Sequence, residues 1–231
     1  MKLNVILSIA CFLFTALLHA QAVDKKPVEH PYQDYNERPY PATNLPASPK
    51  VAEFMALFED AEVGNLHVYS DFKDKAGAGY YFAGKKIGAA HKELFASEFL
   101  GLAKANDIYA TYSIRGNEEE HYIIRMPTNK GSNTLWLFTI EGEVVKPLQQ
   151  LAFAFCQGGD CYQQDSWITG LNGDTSLDIL VKFRRTNAKT GAVTEESEKV
   201  YLQDEAGNFR LAEKEKVNVK PGKFDMERLK H

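Results

Sequence analysis

The chain is short of cysteine and of surplus positive charge, and each shortage closes off a class of function. Three cysteines occur in 231 residues. Cys11 falls inside an apolar N-terminal run, which leaves Cys156 and Cys161 for everything after it. No second pair accompanies them, so a four-thiolate zinc site is excluded. Gln157 to Asp160 separate them, a wider gap than the two residues usual in catalytic dithiols. Lys and Arg number 27 against 31 Asp and Glu, a net charge of −4. Nucleic-acid binding draws on clustered Lys and Arg that release phosphate counterions, so this balance argues against nucleic acid as a partner. No block of like charges offers a basic membrane patch. The sequence also lacks a Gly-x-Ser-x-Gly elbow, a phosphate-cradling loop and a His-Glu-x-x-His helix, which leaves no recognisable catalytic motif. No repeat at fixed period points to a propeller or solenoid.

What is present begins with a leader. Lys2 supplies a positive start, Val5 to Leu18 form an apolar run, and Ala20-Gln21-Ala22 is the small-x-small pattern that a signal peptidase accepts. The run is shorter than the roughly 20 residues a spanning helix needs, so residues 1–22 are expected to be a cleaved signal peptide rather than an anchor. A lipid-anchored product at Cys11 is the weaker reading, because Ser8-Ile9-Ala10 lacks the usual leucine and the apolar run continues past it. The product is expected to be soluble and periplasmic or secreted, with no membrane span after cleavage near Ala22. In an oxidising compartment Cys156 and Cys161 are expected to form one disulfide, with Gly158 and Gly159 turning the chain between them.

Residues 23–49 hold six of the nine prolines: Pro27, Pro31, Pro39, Pro41, Pro46 and Pro49. Proline fixes φ and disfavours helix before it, so an extended segment is expected. It reads either as a spacer or as an arm that docks through Tyr32, Tyr35 and Tyr40.

Residues 50–231 read as a single α+β domain, with two N-terminal helices packed on a mostly antiparallel β-meander of at least seven strands. Ser48 can cap a helix with Pro49 in its first turn and Val51, Phe54, Met55 and Phe58 on one face. A second helix is expected over 89–105, with Phe95, Phe99 and Leu102 on one face. Leu66–Tyr69 and Tyr80–Phe82 read as strands. From Asp107 the period becomes 2: Ile108–Arg115, His121–Met126, Thr134–Ile140, Val144–Lys146, Leu177–Arg185, Lys199–Gln203 and Phe209–Ala212. Turns are expected at Gly116-Asn117, Glu141-Gly142, Gly191 and Gly207. Leu148–Phe155 reads equally as strand or short helix.

Ile168-Thr169-Gly170-Leu171-Asn172-Gly173-Asp174-Thr175-Ser176-Leu177-Asp178-Ile179-Leu180 resembles the Asp-rich calcium loops of FG-GAP-type extracellular repeats. The resemblance implies calcium held by Asn172, Asp174, the Ser176 carbonyl and Asp178. Gly170 and Thr175 depart from the pattern, where the family has Asp and Gly. Calcium wants six to eight oxygens, and the alternative is a metal-free loop shaped by Asx turns at Asn172 and Asp174. The histidines His30, His67, His91, His121 and His231 are scattered singly. Glu118-Glu119-Glu120 reads as a solvated run beside His121, and Trp167, flanked by Asp165-Ser166, as an exposed contact.

The function expected from these features is that of an exported, non-catalytic binding module of the envelope or exterior. It would recognise a protein or envelope component, as inhibitor-like or toxin-neutralising proteins do. A calcium-stabilised structural or adhesive module is the alternative, and a hydrolase with dispersed carboxylates comes third.

Overall fold

Strand follows strand because period-2 alternation prevails over every other pattern in the second half of the chain. The computed structural model describes residues 48–61, 65–70, 80–116, 120–127, 132–171, 176–204, 207–212, 217 and 224–226. The leader and the proline-rich arm, with Tyr32, Tyr35 and Tyr40, lie outside the described residues.

Among the described residues the fold is mostly β, with one open mixed sheet and three short helices: α1 (Pro49–Met55), α2 (Ala89–Lys92) and α3 (Ser97–Ala105). The strands are β1 (Glu59–Asp60), β2 (Leu66–Val68), β3 (Lys85–Lys86), β4 (Tyr109–Arg115), β5 (Glu120–Pro127), β6 (Asn133–Glu141), β7 (Val144–Gln157), β8 (Asp160–Thr169), β9 (Asp178–Asn187), β10 (Val193–Gln203) and β11 (Phe209–Leu211). The sheet order is β1-β4-β5-β6-β7-β8-β9-β10-β11, with β2 added to β8 and β3 to β4. β1 runs parallel to β4, and the meander from β4 to β11 is antiparallel throughout.

The start of α1 follows from its sequence. The Ser48 hydroxyl accepts the Val51 N–H at 3.4 Å and Pro49 occupies the first turn. The helix ends at Met55, so Phe58 enters the core from beyond it and meets Phe54 edge-on at 5.2 Å. The single helix expected over 89–105 is instead two, and the reason is tertiary. Between α2 and α3 the backbone pairs with β7: Ala96 N–H donates to Val145 O at 2.9 Å and Val145 N–H to Leu94 O at 2.8 Å. These bonds replace helical ones, and the new start at Ser97 sets the face. Phe99 and Ala103 go inward while Leu102, expected on the same face as Phe99, is 46% exposed.

Tyr80–Phe82 is a turn rather than a strand, closed by Ala83 N–H to Tyr80 O at 3.0 Å. The ambiguous run Leu148–Phe155 belongs to β7. Strand β8 was invisible to pattern reading because Gln163, Asp165, Ser166 and Thr169 are buried polar residues that interrupt its apolar alternation.

The core has separate clusters. Val51, Phe54, Phe95 and Phe99 share one with Tyr122, Ile124, Phe138 and Val145. Leu66, Val68, Ile114, Ile123, Leu135, Leu137, Leu151, Ile168 and Ile179 form another. Tyr122 and Ile124 serve the first while Ile123 serves the second, so β5 is buried on both faces.

Cys156 and Cys161 form the expected disulfide, with an S–S distance of 2.01 Å. They oppose each other across β7 and β8, one pair inside a two-residue Gly158-Gly159 turn with φ of 65° and 89°. Such a small loop removes little unfolded-state entropy, and the double substitution Cys156→Ser/Cys161→Ser is expected to lose about 2 kcal/mol. That corresponds to a fall in Tm of roughly 4–8 °C in calorimetry. An unchanged Tm would show that the bridge contributes nothing to stability.

Candidate functional site

The β7–β8–β9 strands present two unlike faces. Antiparallel register places Phe155 opposite Tyr162, Phe153 opposite Gln164, Gln164 opposite Phe183, and Tyr162 opposite Arg185. Alternation therefore collects Phe153, Phe155, Tyr162 and Phe183 on one side. Their rings form a chain: Phe155 stacks on Tyr162 at 5.0 Å, Phe153 lies 5.7 Å from Phe155, and Phe183 is 6.4 Å from Phe153. All four are only half-buried. The Arg185 guanidinium lies 5.5 Å from the Tyr162 ring centre, and its Nε donates to Asp160 Oδ2 at 2.9 Å. The result is an aromatic row with a charged end, on a hairpin whose tip carries the disulfide. Row and bridge lie on opposite faces, since Cys156 and Cys161 are one position removed from Phe155 and Tyr162.

The reverse face is covered around Trp167. Trp167, expected to be an exposed contact, is 4% exposed and packs with Leu171, Leu180, Phe224 and Met226. Its polar sequence neighbours suggested the surface, but the segment at 224–226, distant in sequence, covers it. Its other side is stacked by the His67 ring at 4.5 Å and 2°. His67 Nε2 lies 3.0 Å from Asp165 Oδ2, and Gln163 Nε2 donates to the other oxygen at 3.2 Å. Asp165 is 1% exposed, so its carboxylate is held between the two. His67 is thus a member of a His–Asp–Trp group that the sequence showed as a lone histidine. The contact arises only from the pairing of β2 with β8, which sets His67 opposite Trp167 and which no local pattern signals.

Elsewhere the histidines are placed singly. His91 lies 3.6 Å from Glu53 and packs against Phe54, and His121 is fully buried. His30 and His231 lie outside the described residues.

Of the residues implied by the calcium-loop resemblance, Asn172 and Asp174 lie outside the described residues, Ser176 is half-buried and Asp178 is fully buried. The Asp178 carboxylate accepts the Leu171 N–H at 2.7 Å and the Gln203 N–H at 3.4 Å. It therefore ties both ends of the 171–178 segment to β10. Among the described residues no cluster of three His, Cys, Asp or Glu side chains could hold a metal, and no helix is long and apolar enough to cross a membrane.

No protein-family description, curated protein or solved structure matches the chain.

Proposed function

We propose that the protein is an exported, non-catalytic binding module that recognises a protein or envelope component through Phe153, Phe155, Tyr162 and Phe183. The observation that carries this reading is the half-buried aromatic row across β7, β8 and β9, with a disulfide bracing the β7–β8 pair. Aromatic residues with a neighbouring arginine are the composition of interface hot spots. Rigid rings lose little conformational entropy when a partner covers them, and a sheet face presents them in fixed register. The disulfide suits an oxidising compartment, in keeping with removal of residues 1–22 and a periplasmic or secreted product. A protein partner supplies apolar side chains to the rings and a counter-charge to Arg185 or Asp160 at the end of the row.

The test is capture from envelope and culture extracts of the source organism, followed by titration of the recovered partner. Phe155→Ser and Phe183→Ser are each expected to weaken that binding about 30-fold or more, the effect of losing a hot-spot side chain, with little change in Tm. Binding that survives both substitutions, or an intact leader on a cytosolic species by mass spectrometry, would refute the reading. Chelator-dependent binding or melting would instead favour calcium at Asn172, Asp174, Ser176 and Asp178.

A further inference from the structure

The geometry points to an acid-released latch in which His121 and Gln203 hold the β10–β11 end of the sheet closed. His121, the second residue of β5, is a fully buried side chain, and the Phe209 ring of β11 covers it at 5.5 Å. Gln203, the last residue of β10, reaches across with its Nε2 2.9 Å from His121 Nε2. The orientation of that amide follows from its other bonds. Its Oε1 accepts the Leu177 N–H at 3.2 Å and its Nε2 donates to Gly207 O at 3.2 Å. The amide nitrogen is therefore the donor toward His121, so His121 Nε2 must be a bare acceptor and the ring proton sits on Nδ1. Nδ1 is buried with no hydrogen-bond partner.

Protonation of Nε2 sets an N–H against an N–H. Flipping the Gln203 amide would relieve that clash only by abandoning both Leu177 N–H and Gly207 O. Among the described residues no neighbouring acid offers an easier way out. Glu120, next to His121 on β5, accepts the Tyr122 hydroxyl at 3.0 Å and lies 3.8 Å from Arg115 of β4. Asp178, at the start of β9, is occupied by Leu171 and Gln203 backbone N–H groups. Asp204, after β10, pairs with Arg210 of β11 at 2.7 Å. Across the strands His121 faces Ile114 on β4 and Thr139 on β6, which carry no charge.

The element that gives way is the short strand whose Phe209 covers His121. Among the described residues β11 is three residues long, ends the sheet order and pairs as a strand only with β10. Burial lowers the His121 pKa from 6.5 to about 4. The folded state thus favours neutral His121, and this stabilisation is present above pH 6.5 and is lost as pH falls toward 4. Opening lets the ring take up a proton at its ordinary pKa. The open fraction of the latch should therefore rise on the order of a hundredfold across that interval.

Hydrogen exchange of the full chain, corrected for intrinsic rates, should show protection lost at residues 199–211 near pH 4 while β5–β8 stay protected. Gln203→Glu supplies an acceptor for protonated His121, and His121→Phe removes the titrating group. Each should abolish the acid-dependent opening. Equal protection at 199–211 across the pH range would overturn the latch. So would loss of protection from the whole sheet in one step, or acid opening that persists in Gln203→Glu.

Discussion

Gly84→Ala is expected to lower stability by about 4 kcal/mol, the sum of a left-handed backbone penalty and overpacking against fixed backbone. Gly84 has a φ of +68°, and a Cβ built on it would lie 2.3 Å from the Ala110 carbonyl oxygen and 2.9 Å from Thr111 Cγ2. A carbonyl inside a β-ladder cannot swing aside as a flexible side chain would. Gly142 provides the control, with a similar φ of +61° in the β6–β7 turn and open space around its Cβ. Gly142→Ala should therefore cost only about 1–2 kcal/mol, the backbone term alone. Urea titration reads the difference as a larger fall in midpoint for Gly84→Ala at unchanged slope. Equal losses at the two positions would show that the close approach to Ala110 does not matter.

Arg125→Ala should lose about 3–5 kcal/mol, as expected for breaking a buried, hydrogen-bonded cation site. Arg125 is 1% exposed on β5. Its Nε and Nη2 both donate to Ala83 O, at 3.1 and 2.9 Å, and Nη1 donates to Asn133 Oδ1 at 2.7 Å. The guanidinium lies 4.0 Å from the Tyr109 ring centre. Lysine has neither the fork nor the plane, so Arg125→Lys should also fall well short of wild type, by roughly 2 kcal/mol. Ala83 immediately precedes Gly84, whose backbone conformation aims the carbonyl at Arg125. The two sites should therefore couple, with the double variant Gly84→Ala/Arg125→Ala losing at least 0.5 kcal/mol less than the sum of the singles. Strict additivity would mean that Gly84 acts on stability without orienting Ala83.

Neither residue was recognisable as important from the sequence. An arginine within Ile123-Ile124-Arg125-Met126 looks like the solvent side of an alternating strand. It becomes core because β5 lies mid-sheet with apolar layers on both faces, so alternation no longer separates water from interior. The aromatic row was hidden for a related reason. Phe153 and Phe155 were legible as an apolar run, but Tyr162 and Phe183 join them only through the β7–β8 and β8–β9 registers. Trp167 shows the reverse case, a residue with polar neighbours that a remote segment covers.

Where the controlling interactions span only a few residues, sequence was sufficient. It determined the Ser48 cap and Pro49 start of α1, the antiparallel run from β4 onward apart from β8, the glycines of the 142, 191 and 207 turns and the Cys156–Cys161 bridge. Tertiary structure alone decided the break between α2 and α3, the existence of β8, the burial of Arg125 and Trp167, the His67–Asp165 contact and the enclosure of His121. Caps, turns and alternation draw their free energy from neighbours in the chain. Burial and hydrogen-bond satisfaction draw theirs from whatever the fold brings opposite, which no local pattern encodes.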